Sequence, residues 1–304
     1  MPTAEGGAMT AFETGAAVAV PAPARLGAVR LAGGRRLAWA EWGPEDGVPV
    51  LLCPGAATSR RLGFGAAAVA GLGVRLISVD RPGLGASDPS PGRTLTGWAE
   101  DVREFAALRG LAGLRGVGFS QGAPYALACA AAGVLTRLAV VSGTDELAAP
   151  AFDRLLPEEV RYLVDRAAVD PAAAERSFAG FGSPEVLYEL VVAAGGERDR
   201  AVLEQPAFAA AFREAMAEGF SQGPAGYARD TLLTMSHWPF DPAVIKVPVD
   251  LWYGALDAAP THSPDHGARL AGRIPTARRH VLPDAGGMLL WTHAAPILQE
   301  LLGG

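Results

Sequence analysis

The chain has 304 residues, half of them hydrophobic and 19% charged, with a net charge of −6. That length suits one large α/β domain carrying an insertion, or two ordinary domains. The acidic balance leaves no basic stripe for nucleic acid or anionic lipid, so a small molecule is the expected partner and nucleic acid is not.

Residues 1–24 are mostly Ala, Gly, Thr, Glu and Pro, with neither the basic start nor the apolar centre of a secretory signal, and read as a disordered leader. Ala28 to Leu31, Arg36 to Trp42 and Val48 to Cys53 read as two hairpin strands and a buried third. A Pro54 to Ser59 loop, a helix and the apolar strand Val74 to Val79 follow. The turn-rich loop Asp80 to Pro89 leads to a helix over Thr94 to Leu108, where Trp98, Val102, Phe105 and Leu108 recur at helical spacing. A strand containing Leu114 and Val117, a helix over Gln121 to Ala132 and a strand over Leu138 to Ser142 come next. This alternation implies a mostly parallel sheet covered on both faces.

The uncharged stretch Val117 to Thr136 is interrupted by Gly, Ser, Gln and Pro, and reads as strand plus buried helix rather than a membrane span. Cys53 and Cys129 lie in apolar segments without paired spacing, as buried free thiols do, and a reducing cytoplasm is the expected location. From residue 146 to 239 strand signals vanish. Pro157-Glu158-Glu159, Asp170-Pro171 and Ser183-Pro184-Glu185 look like helix starts. The segment reads as a helical lid inserted in a core of residues 25–145 and 240–304. Within it Phe208, Phe212, Met216 and Phe220 recur every four residues, a stripe expected to pack the lid on the sheet, with the lining of an apolar substrate cavity as the functional alternative. The sheet resumes at Val247 to Tyr253 and closes with Arg278 to Leu282.

One stretch carries chemistry. In Gly118-Phe119-Ser120-Gln121-Gly122, between a strand and a helix, small residues two before and two after the serine let the backbone double back and push the hydroxyl out of the sheet. The N-terminus of the following helix would stabilise negative charge on a bound carbonyl. With 38 glycines the chain can match this pattern by chance, so its neighbours must give it meaning.

They do so together. The turn at Ser120, the Cys53-Pro54-Gly55-Ala56 loop, the Asp80 to Ser87 loop and Tyr253-Gly254-Ala255-Leu256-Asp257 jointly resemble the α/β-hydrolase superfamily, from about residue 28 to the end. The resemblance implies an α/β fold with a mostly parallel eight-stranded sheet flanked by helices. It also implies Ser120 as nucleophile, Asp257 as the acid of a triad, and the backbone N–H groups of Ala56 and Gln121 as oxyanion donors. Asp145, past the sixth strand, is a second acid position, with capping of the lid's first helix as its expected role. The Asp80 loop is expected to be structural, with Pro82 in the family's usual arginine place and Arg81 one position earlier. Ser120 disfavours the dehalogenase and epoxide hydrolase chemistries that use an aspartate at the elbow.

The chain departs from the family at its end. Pro283-Asp284-Ala285-Gly286-Gly287 puts Gly287 where the catalytic histidine usually stands. Among the five histidines, His262 follows Asp257 on a loop at the active edge of the sheet and His293 lies near the start of the last helix; either could substitute, but His262 reads as a surface residue. His266 is expected on the next helix, His280 in an interior strand and His237 at the lid hinge. The expected function is an esterase-like serine hydrolase for a small, largely apolar acyl substrate, with no cofactor or metal. The alternatives are a hydrolase-like ligand-binding protein, or a cofactor-free lyase, cyclase or isomerase that has lost hydrolytic turnover.

Overall fold

The computed structural model describes residues 17–180 and 182–303. Of the expected leader, residues 1–16 lie outside the described residues. The stretch just after them packs on the protein: Val18 is buried and donates its N–H to Gln205 Oε1 at 2.8 Å, and Pro21 O accepts from Trp42 Nε1 at 3.0 Å.

Eight strands form one sheet. They are β1 (Arg25–Arg30), β2 (Arg36–Trp42), β3 (Val48–Cys53), β4 (Val74–Val79), β5 (Arg115–Phe119), β6 (Leu138–Val141), β7 (Val249–Gly254) and β8 (Ala277–Leu282). Their spatial order is β1-β2-β4-β3-β5-β6-β7-β8; β2 runs antiparallel to both its neighbours and the other pairs are parallel. Strand β1 begins three residues before the expected Ala28, because the hairpin register continues to Arg25 opposite Glu41, where the two side chains pair at 2.9 Å. His280 lies in β8, an edge strand and not an interior one, where it stacks on Trp252 with ring centroids 4.1 Å apart.

The period-two alternation of the central strands divides the core between two faces. Val50, Leu52, Val117 and Val141 point to one face, where α1 (Ala66–Gly71), α11 (Leu289–Thr292) and α12 (Ala294–Leu302) pack. Leu51, Cys53, Val140 and Leu251 point to the other, against α2 (Leu95–Leu108), α3 (Ala123–Ala131) and α10 (Ala268–Arg273). Both cysteines are buried free thiols, and burial pushes the Cys53 thiol up to about 12.

Among the described residues six α-helices lie between β6 and β7: α4 (Glu158–Val169), α5 (Pro171–Gly180), α6 (Pro184–Ala194), α7 (Glu197–Leu203), α8 (Pro206–Gly219) and α9 (Ala225–Thr234). The first two pack with α9 in a core of their own, through Val160, Val164, Phe178, Leu232 and Met235. Helices α6 to α8 instead extend the sheet's core: Leu187, Phe208, Phe212 and Met216 bury together with Phe119 and Trp291. No helix among the described residues is long and apolar enough to cross a membrane.

Candidate active site

At the end of β5 the chain turns sharply through Ser120, whose φ of +49° lies in the left-handed region that a non-glycine residue enters only under constraint. The flanking glycines are demanded by space. A Cβ on Gly122 would sit 1.9 Å from Cys53 O, and one on Gly118 would sit 2.8 Å from Ala126 Cβ and 2.9 Å from Ala123 Cα. A short 3-10 turn over Ser120–Gly122 feeds α3, and Thr144 N–H donates to Ser120 O at 3.1 Å.

Opposite the serine is the loop after β3. Pro54, Gly55, Ala56, Ser120 and Gln121 line the same cavity. The loop is held from behind by the buried Arg81, whose Nη1 donates to Pro54 O at 2.7 Å and Nη2 to Gly55 O at 3.0 Å, while Nε bonds Asp230 Oδ2 at 2.6 Å. Asp230, on α9, also accepts from Arg93 and, at 2.8 Å, from the Tyr125 hydroxyl. Burial alone would raise the Asp230 pKa, but the two flanking guanidiniums bring it below the ordinary value. The adjacent Asp80 is buried too, pairing with Arg60 Nη1 at 2.6 Å and accepting from the Arg60 and Ala86 amides. The Asp80 to Ser87 loop is therefore structural, as expected, and its Arg81 braces the loop bearing Ala56.

His262 Nε2 lies 2.9 Å from Ser120 Oγ, and its Nδ1 lies 2.7 Å from Asp257 Oδ2. Its side chain is only 11% exposed, so it is not a surface histidine. Four residues separate Asp257 from His262, and the loop between them folds back on itself. Asp257 Oδ1 accepts from Ala259 N–H at 3.1 Å, and His262 N–H donates to Ala259 O at 3.1 Å. Ser263 N–H then ties the loop to Gly143 O at 3.0 Å. The Phe119 ring stands edge-on to the imidazole, with centroids 6.3 Å apart. Burial would lower the pKa of His262, but Asp257, by charge and hydrogen bond, and the charge of Asp199 outweigh it, and the net direction is up. In the tautomer whose Nδ1–H donates to Asp257, the imidazole presents a free Nε2 acceptor to the serine hydroxyl, the geometry for taking a proton from an attacking nucleophile.

Gly287, at the family's usual histidine position, faces the same acid: a Cβ there would meet Asp257 Oδ1 at 2.7 Å. His293 stands at the N-cap position of α12 without a side-chain cap bond, its Nδ1 2.9 Å from Thr292 Oγ1, and burial lowers its pKa. His266 lies in the loop before α10 rather than on a helix, and His237 is paired with Glu146 Oε1 at 3.3 Å. Asp145 caps no helix. It accepts from Glu146 N–H at 2.7 Å and is hydrogen-bonded to the Ser263 hydroxyl at 3.2 Å, and so pins the loop that carries His262.

Two participants escaped sequence reasoning. Asp199 of α7 is buried beside this constellation, and Arg81 was read only as a loop residue. His262 had a signal: the one histidine following the acid on its own loop, when the usual position held glycine. Asp199 had none, because nothing in a helical stretch marks which acid turns inward.

A cavity of about 340 Å³ opens over Ser120, between the sheet and the inserted helices. Leu163, Leu187, Val191, Phe212, Met216 and Trp291 make its walls apolar, and no lysine or arginine among the described residues lines it. Of the four-residue stripe, Phe212 and Met216 line the cavity while all four members are buried, so the stripe both packs and lines.

Residues 50–300 match the model of the alpha/beta hydrolase family, and the chain belongs to that family. Among solved structures it is similar to a bromoperoxidase from Bacillus anthracis, with 17% identity and a TM-score of 0.69 over 92% of this chain and 100% of that one. It is also similar to the enol-lactonase from Burkholderia xenovorans LB400, with 21% identity and a TM-score of 0.66 over 91% and 100%. The esterase RhEst1 from Rhodococcus sp. ECU1013 is a third, with 19% identity and a TM-score of 0.65 over 91% and 98%. No curated protein matches the sequence.

Proposed function

We propose that the protein is an esterase-like serine hydrolase whose triad is Ser120, His262 and Asp257, with the amides of Ala56 and Gln121 as oxyanion donors and residues 146–239 as a lid. The observation that carries this reading is the hydrogen-bonded line from Ser120 Oγ through His262 to Asp257, at 2.9 and 2.7 Å. In the first half-reaction Oγ bonds to the acyl carbon while its proton passes to His262 Nε2, and the carbonyl electron pair moves onto oxygen, facing the two amides. Asp257 stabilises the imidazolium so formed. Collapse expels the alkoxide, which leaves with the proton from His262; water then repeats the sequence on the acyl-enzyme.

The apolar walls and the want of a lining cation favour an uncharged, largely apolar acyl group. The hydrogen bonds of His262 to Ser120 and Asp257 favour the hydrolase over the ligand-binding and lyase readings, whose motive was an empty histidine position.

The test is fluorophosphonate labelling together with turnover of p-nitrophenyl esters from acetate to octanoate. Labelling should depend on Ser120, and Ser120→Ala and His262→Ala should each lower kcat by roughly 10⁴- to 10⁶-fold. Neither labelling nor turnover across the panel would sink the proposal.

A further inference from the structure

Two carboxylates, not one, meet at the base side of the site. Asp199 projects from α7, and its Oδ1 accepts from Met288 N–H at 2.9 Å. The neighbouring Gly287 amide also acts to lower its pKa. These are the residues of the turn where the family's histidine would stand, and both its glycines are spoken for: a Cβ on Gly286 would lie 2.3 Å from Asp199 Oδ1, and one on Gly287 2.7 Å from Asp257 Oδ1. The glycine pair thus lets two acids lie over one turn. Asp199 is only 4% exposed and lines the cavity together with His262 and Gly287.

Burial of a carboxylate in such a place is costly unless backbone donors or a cation compensate it. Two amides supply part of that compensation. Burial, and after it the neighbouring Asp257 charge, still hold the Asp199 pKa above its ordinary value, while His262 acts in the opposite direction. The charged groups acting on His262 are Asp257 on its own loop and Asp199 from α7. An imidazolium between two carboxylates gains from both.

From this geometry we infer that Asp199 is a positioning residue of the base site: it fastens α7 to the 287–288 turn and adds a second negative charge that favours protonated His262. The inference rests on the triad reading above, in which the inserted helices complete the base rather than merely cover the substrate. Opening α7 would remove that charge, so the proton affinity of His262 is coupled to the seating of the helical segment.

The experiment is a pH titration of the His262 imidazole by NMR in [13C]histidine-labelled protein, assigned with His262→Gln, in wild type and Asp199→Asn. Asparagine keeps an oxygen for the Met288 amide and removes the charge. The His262 midpoint should move to lower pH, and where esters are turned over the acid limb of kcat/KM should move with it, while kcat/KM at its plateau falls about tenfold. Superimposable titrations would overturn the inference. The NMR readout needs no turnover, so absence of esterase activity would count against the triad reading alone. Should Asp199→Asn fail to fold by circular dichroism, Asp199→Glu serves instead. It retains the charge and should keep the midpoint near wild type; a fall as large as that of an unfolded control would refute the assignment.

Discussion

The two sides of Ser120 are both tied to the inserted helices, but by opposite electrostatic designs. On the side of the proposed oxyanion donors a single buried carboxylate, Asp230 of α9, is shared by two buried guanidiniums, Arg81 and Arg93, and by the Tyr125 hydroxyl. Arg81 passes that restraint to the carbonyls of Pro54 and Gly55. Two guanidiniums face one carboxylate there, and nothing needs to change protonation. On the base side the balance is reversed: Asp257 and Asp199 flank His262, with backbone amides in place of cations. In the proposed mechanism that side is built around a group that gains and loses a proton. Rigid oxyanion donors want preorganisation, whereas a base wants a field that favours its charged form.

The contrast is broken most severely by Asp230→Ala, which strands two buried guanidiniums. A loss of about 3–5 kcal/mol in unfolding free energy is expected, against little change in the His262 titration. Urea denaturation and the NMR midpoint test the two halves separately, and a shifted midpoint would show that the two sides are not independent. Gly287→His comes next. Returning the family's residue puts a Cβ 2.7 Å from Asp257 Oδ1, and the carboxylate must yield. Because Asp257 orients His262, ester turnover should fall by roughly 10²-fold rather than rise, as small displacements of catalytic groups do. A rise would mean that the incoming histidine takes over the role of His262.

How far the sequence could be read follows the same division. The elbow at Ser120 was legible because its causes are local: a strand, two glycines that sterics require and a helix, all within a dozen residues. The alternation of Val50 and Leu52 with Leu51 and Cys53 likewise shows in a few residues which faces are buried. The base side depends on contacts between residues far apart. Asp199 meets Met288 across 89 positions, and His262 meets Ser120 across 142. No periodicity encodes such meetings, and a histidine in a turn-rich loop looks the same whether the loop folds outward or back. Helix spacing placed the inserted segment as helical, but not its partition into one half with its own core and another that shares the sheet's.

The smallest expected effect concerns how the base-side loop is pinned. The Ser263 hydroxyl stands 3.2 Å from Asp145 Oδ2 and 3.1 Å from Asp265 Oδ1, and it accepts from Gly267 N–H at 2.9 Å. One hydroxyl has one proton, so it cannot donate to both carboxylates. The conflict is relieved if Asp145 carries a proton, donates it to Ser263 Oγ and lets Ser263 donate to Asp265. Burial, opposed by the Glu146 amide and reinforced by Asp265, raises the Asp145 carboxyl to about 6. A carboxyl with a folded pKa above its unfolded one contributes stability below the unfolded value and loses it as pH rises through about 6. Above that, ionised Asp145 costs stability. Asp145→Asn keeps an oxygen for the Glu146 amide and supplies an N–H for Ser263 at every pH, so it should stabilise the fold by on the order of 1–2 kcal/mol at pH 8, by about half as much at pH 5 and by little below about pH 4. Scanning calorimetry would then find a Tm rise of roughly 2–4 °C at pH 8. An equal rise at every pH would show that the gain comes from packing and not from the proton.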